Sequence, residues 1–195
     1  MLKKLFLIIF TFSFWSNNVI AIEPDIFVQS TVNRASKLLS ENLTKEEKIQ
    51  ELEKIAKDTV DIKGIGFYTL GSFRKSLNET DKIEYSQLFE VYFLKSFSSR
   101  LAEYTNPEID VFKKEILNKN YTMVSSVLKA TKERPEIRID WRIYTKNPES
   151  PLIRDLIIEG LSLARTQKEE FNSIILSNNG NIEFLFVSLN EFINK

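Results

Sequence analysis

Three carboxylates occupy positions from which a catalyst could be built. Asp140 alternates with apolar residues in "IRIDWRIY" (Ile137–Tyr144), and Asp155 and Glu159 do so in "RDLIIEG" (Arg154–Gly160). On neighbouring strands they could share one sheet face. A pair about 5–10 Å apart in a cleft could then act as general acid and base, as in glycoside hydrolysis. The simpler account is a solvated face, because Arg138, Arg142 and Arg154 stand at matching positions to pair with them. Ser162, in "EGLSLA", lacks the nucleophile-elbow pattern and has no base partner. The 195 residues contain no His and no Cys. That excludes Ser-His-Asp and Cys-His catalysis and the usual zinc sites, and no carboxylate cluster has metal-ligand spacing. Asp155 and Glu159 are therefore expected to be structural or partner-facing rather than catalytic. An exposed ion pair is worth only about 0–1 kcal/mol, so Asp155→Asn is expected to leave the fold unchanged.

These residues need elements to position them. After Pro107 the apolar period is two, which predicts strands over Ile109–Leu117, Tyr121–Thr131, Glu136–Thr145 and Leu152–Glu159, joined by short turns. In the third strand Ile137, Ile139, Trp141 and Ile143 face one way and Arg138, Asp140, Arg142 and Tyr144 the other. In the fourth, Ile153, Leu156 and Ile158 could share one side, opposite Asp155, Ile157 and Glu159. Consecutive strands with short connections predict an antiparallel meander covered on one face.

Before the strands the period is 3.6. Pro24 suits a first helical turn, and Val28, Val32, Ala35 and Leu39 continue it. Thr44 with Glu47 forms a capping box that opens a second helix through Ile49, Leu52, Ala56 and Val60. "GIGFYTLG" (Gly64–Gly71) lacks the preceding strand and Lys-Ser/Thr ending of a phosphate loop, so its glycines are expected to permit a bend and close packing. Asn78 and Asp81 cap a long helix through Tyr104, on which Phe89, Phe93 and Phe97 stack at i, i+4 and i+8. Its apolar arc is wider than one covered surface needs, so the helix is either packed on two sides or lines a cavity. Two helices close the chain, near Leu161–Leu176 and Asn181–Ile193. Helices, then strands, then helices indicate an α+β fold of about four to five strands. Residues 22–195 are expected to form a single domain, helical over 22–105, sheet over 106–160 and helical again over 161–195.

The first 21 residues read as a secretory signal peptide. Lys3 and Lys4 precede the apolar run Leu5–Trp15, which is too short for a bilayer span of about 20 residues, and Val19-Ile20-Ala21 is a small-residue cleavage pattern. Cleavage after Ala21 leaves 25 basic against 27 acidic residues. A near-neutral exported chain argues against nucleic-acid binding. The length buries a core without cross-links, which suits a cysteine-free protein in an oxidising compartment.

Three stretches together resemble one family: "LGSFRKSLNETDKIEYSQLFEVYFLKSFSSRLAEY" (Leu70–Tyr104), "IDWRIY" (Ile139–Tyr144), and "RDLIIEGLSLARTQKEEFNSII" (Arg154–Ile175) with its Glu159-Gly160 block. They are similar to the Mla-pathway periplasmic phospholipid shuttle family (MlaC, or toluene-tolerance family), and the likeness runs from about Ile26 to Leu189. Phe73 stands where the family usually has Trp or Tyr, and "NPESP" replaces a glycine-bearing hairpin.

The resemblance implies a curved antiparallel sheet wrapped by helices, like nuclear transport factor 2 with a helical lobe, enclosing a lipid-tail cavity. It implies a periplasmic carrier, without cofactor, that moves phospholipid between an outer-membrane lipoprotein complex and an inner-membrane ABC transporter with an MCE-domain subunit. The expected tail-binding residues are Phe67, Leu70, Phe89, Phe93, Phe97, Ile139, Trp141, Ile143, Ile158, Leu161 and Phe171. Two acyl chains of roughly fifteen carbons, at about 0.8 kcal/mol per methylene, represent about 20 kcal/mol or more of burial, so a carrier needs shielding and no reactive group. Two other readings stay open: an exported hydrolase or isomerase using Asp140, Asp155 or Glu159, and an envelope adaptor that carries nothing.

Overall fold

The computed structural model describes residues 21–132 and 134–195. The expected signal peptide lies, apart from Ala21, outside the described residues. Among them are six α-helices and one open five-stranded antiparallel sheet, an α+β architecture. The helices are α1 (Pro24–Ser40), α2 (Lys45–Thr59), α3 (Ile62–Thr69), α4 (Glu79–Leu101), α5 (Leu163–Ser177) and α6 (Glu183–Ile193). The strands are β1 (Ile109–Asn118), β2 (Tyr121–Leu128), β3 (Ile137–Tyr144), β4 (Leu152–Ile158) and β5 (Leu161–Ser162), paired in chain order. No helix among the described residues is long and apolar enough to cross a membrane.

The helix starts follow local chemistry. Pro24 occupies the first turn of α1, and Thr44 and Glu47 cap α2 reciprocally. Asp61, Asn78 and Ser162 each accept a backbone N–H at the start of α3, α4 and α5. In the glycine-bearing segment Gly64 and Gly66 lie inside α3, where Gly66 permits close packing against Phe89, and the bend falls at Gly71, at φ +57° just after the helix. The long helix stops at Leu101 rather than Tyr104. The second strand ends at Leu128, because Thr131 N–H turns back to the Arg134 carbonyl at 2.8 Å.

The meander and its covered face form as the alternation requires. Ile143, Trp141, Ile139 and Ile137 register against Thr122, Val124, Ser126 and Leu128 of β2, and this face packs on the helices. On β4 the register slips: Arg142 pairs with Asp155 but Ile143 pairs with Ile153, so Arg154 is an extra, bulged residue. The bulge puts Ile153, Leu156 and Ile158 opposite Ile143, Trp141 and Ile139, the grouping that a spacing of three and then two anticipates. Glu159 and Gly160, at φ +50° and +84°, form a two-residue hairpin turn into β5. Helix α5 therefore starts at Leu163, with a short strand before it.

Candidate functional site

Helix α4 carries the centre of the interior. Phe89, Phe93 and Phe97 stack as their spacing requires, with ring centroids 6.1 Å and 5.3 Å apart. Tyr85 extends the stack one turn back, 5.8 Å from Phe89. Phe171 of α5 meets Phe89 edge-on at 6.2 Å, and Phe67 of α3 lies 6.5 Å from Tyr85. Aromatic pairs at such separations add about 0.5–1.5 kcal/mol beyond area burial.

The sheet supplies the opposite wall. Ile139, Trp141 and Ile143 are buried in the same apolar cluster as Leu70, Phe89 and Phe171, while Phe67, Phe93 and Phe97 are half-buried against it. Trp141 is held by its indole N–H, which donates to Ser126 Oγ at 2.8 Å, and that hydroxyl donates to the Ile139 carbonyl at 3.1 Å. A polar indole thus sits in an apolar wall with its donor satisfied.

Two expected tail-binding residues fall outside this cluster. Leu161 is 70% exposed, because the Glu159-Gly160 turn sends the chain into the edge strand β5. Ile158, its partner across that turn, is only half-buried. Conversely, Tyr85, Tyr92 and Phe186 belong to the aromatic interior and were not among the expected lining residues. Tyr85 and Tyr92 share α4 with the phenylalanines, so the helical period carried a signal for them. Phe186 comes from α6 and stacks on Tyr85 at 6.1 Å, which no local pattern announces.

The gap bounded by Lys63, Gly66, Phe67, Tyr85, Ser86 and Phe89 holds about 130 Å³ and is too narrow for water. Ligand sites run to about 300–1,000 Å³, so an occupant must part the elements around it. A second depression, open to solvent, is formed by α1 residues alone, from Ile26 to Lys37.

Each of the three carboxylates is engaged, Asp140 and Glu159 both by Arg138. Asp140 pairs with Arg138 at 3.2 Å. Glu159 accepts the Arg138 backbone N–H at 2.5 Å, tying its turn to β3. Asp155 is not on a solvated face: it is 3% exposed, accepts the Ser162 hydroxyl at 2.6 Å and the Ala164 N–H at 3.0 Å, and lies 3.6 Å from Arg142. Arg154 reaches past the strand carboxylates to Asp61, with Nε 2.7 Å from Oδ2, and lies over the Tyr144 ring. The expected pairing of all three arginines with Asp140, Asp155 and Glu159 therefore holds for Arg138 and Arg142 and fails for Arg154. Among the described residues, no group of three or more carboxylates is arranged to hold a metal ion.

A sequence model of one family, described as MlaC protein, matches residues 29–191. No curated protein matches the chain significantly. Among solved structures, the chain is similar to a phospholipid-binding protein from Ralstonia solanacearum, determined in complex with a phospholipid. The two share 17% identity and superpose with a TM-score of 0.74 over 89% of this chain and 98% of that one.

Proposed function

The chain belongs to the MlaC protein family, and on that premise we propose that it is a periplasmic phospholipid carrier. It takes acyl chains into the space between α3, α4, α5 and the covered face of the sheet, and it performs no chemistry on them. One observation carries this reading. The stack Tyr85, Phe89, Phe93 and Phe97, with Phe171 across it, shares one apolar interior with the sheet residues Ile139, Trp141 and Ile143. The phospholipid held by the Ralstonia solanacearum protein of the same fold supports it. The enzyme reading is weakened because Asp140, Asp155 and Glu159 are each engaged by structural partners.

Residues 22–195 act as one lipid-binding unit after export and removal of 1–21. The partners are an outer-membrane lipoprotein complex and an inner-membrane ABC transporter with an MCE-domain subunit, with phospholipid passing between them. Acyl burial at about 0.8 kcal/mol per methylene explains why the cargo needs an apolar interior and can leave its headgroup wet.

The narrowness of the gap at the α3–α4 contact favours a second reading, a family member that docks in the envelope and carries nothing. Mass spectrometry of organic extracts from purified protein separates the two. A carrier yields phospholipid in near-stoichiometric amount, and Phe93→Glu lowers that load while the protein stays folded. Protein that yields no phospholipid, and takes none from vesicles, is the adaptor.

A further inference from the structure

Helices α3 and α4 meet along a seam whose character changes with depth. Lys63 stands exposed at its rim, Ser86 and Phe67 are half-buried, and Tyr85 and Phe89 are buried at its floor. Charge, hydroxyl and aromatic ring thus follow one another inward, the order of groups in a phospholipid from phosphate to acyl chain. The seam is narrow because Gly66 has no side chain: a Cβ there would lie 2.7 Å from Phe89 Cδ1.

The α3 side of the rim is basic, while the α4 side carries Glu84 and Glu90 among its exposed residues. No carboxylate occurs from Ile62 to Asn78, while Lys63, Arg74 and Lys75 do. The flanking acids are both neutralised, Asp61 by Arg154 and Glu79 by Lys82, and these pairs leave Lys63 out. A cation and a hydroxyl together suit a phosphodiester oxygen.

Helix α3 is also the lining element least able to sustain itself. It is eight residues long with two internal glycines, each costing about 0.5–1 kcal/mol relative to alanine. Its Asp61 end is anchored to β4 by Arg154, and its Thr69 end is held to α5 by Asn172, which donates to the Thr69 carbonyl at 3.4 Å, and by Lys168 over the Tyr68 ring; its polar link to α4 is the Tyr85 hydroxyl, 2.7 Å from Thr69 Oγ1 and 3.2 Å from the Gly66 carbonyl. Parting the seam breaks the Tyr85 contacts and exposes the floor while the Asp61 end stays on the sheet.

We propose that the α3–α4 seam is the portal through which an acyl chain reaches the aromatic interior, and that Lys63 and Ser86 at its rim hold the phosphodiester of the incoming lipid. This rests on the carrier reading above. Because the chain has no cysteine, the Lys63→Cys/Ser86→Cys double variant can be bridged by a bis-maleimide with a reducible linker. Uptake is read from vesicles of phosphatidylethanolamine containing pyrene-acyl phosphatidylglycerol, with thermal unfolding confirming that each variant is folded. Bridged protein should lose uptake and recover it when the linker is reduced. Lys63→Glu should slow uptake several-fold at low ionic strength, and salt should shrink the difference by screening. Bridged protein that loads as fast as unbridged overturns the portal, and Lys63→Glu at the wild-type rate overturns the headgroup contact; both leave lipid carriage standing. Wild type that never loads overturns the carrier reading itself, and the portal with it.

Discussion

The carboxylate of Asp155 accepts the backbone N–H of Ala164 at 3.0 Å, so a strand residue serves the first turn of a helix nine positions later. Its neighbour Arg154 reaches Asp61, whose other carboxylate oxygen accepts the Gly64 N–H at the start of α3. Two adjacent residues at the β4 bulge thereby fix the N-termini of α3 and α5, the two helices that pack on β4. A negative group beside orphan helix N–H donors is favourable on hydrogen-bond and dipole grounds alike.

Asp155→Asn therefore should not be silent, as an exposed ion pair would allow. Asparagine puts an NH2 donor where two donors now meet acceptors. The expected cost is about 1–3 kcal/mol, the penalty for a buried polar group left badly paired. Urea unfolding measures it, and unchanged stability would sink the anchoring role. The lipid's covalent structure should stay intact in wild type and variant alike; fatty-acid release that vanishes in Asp155→Asn would restore the enzyme reading.

Burial pushes the Tyr85 phenol well above its ordinary value of 10.0, the hydrogen bond with Thr69 opposes this in part, and the neighbouring Tyr92 adds to it. A folded-state value above the unfolded one means stability that is complete below pH 10 and lost as pH rises beyond it. Unfolding free energy should therefore fall in the alkaline range. Tyr85→Phe should flatten that fall at a cost of about 1 kcal/mol for the lost hydrogen bond. Ultraviolet difference titration of the folded protein checks it: Tyr85 ionising together with exposed tyrosines contradicts the assignment.

Gln29 blunts the outer edge of the sheet. Its side-chain amide accepts the Val111 N–H at 3.1 Å and donates to the Ile109 carbonyl at 3.3 Å, standing where another strand would pair. Beyond it Phe112 and Ile116 are 59% and 77% exposed on β1. An unpaired edge with apolar residues is a template for self-association. Gln29→Ala is expected to change monomer stability by no more than about 1 kcal/mol, since water can replace the lost bonds, while raising concentration-dependent light scattering. Scattering equal to wild type would show that the edge is protected by other means.

Features that act over a few residues were legible in the chain before any fold was known: the Thr44–Glu47 capping box, the Asn78 cap, the alternation of Ile137–Tyr144 and the phenylalanine ladder of α4. These are short-range preferences of the backbone and of side chains one turn or two residues apart, so they survive into any fold that uses them. The apolar interior was legible to a similar extent, since nine of the eleven expected tail-binding residues belong to the buried cluster or pack against it. The remainder was settled by packing between distant elements. Whether Arg154 is a bulge, and whether it meets a strand carboxylate or Asp61, 93 positions away, depends on where α3 docks. Leu161 is exposed because an open sheet ends at β5, and Phe186 is buried because α6 happens to close over Tyr85. Such contacts arise when separate elements compete for one covered surface, and the energy that settles the competition belongs to the packed whole rather than to any local stretch.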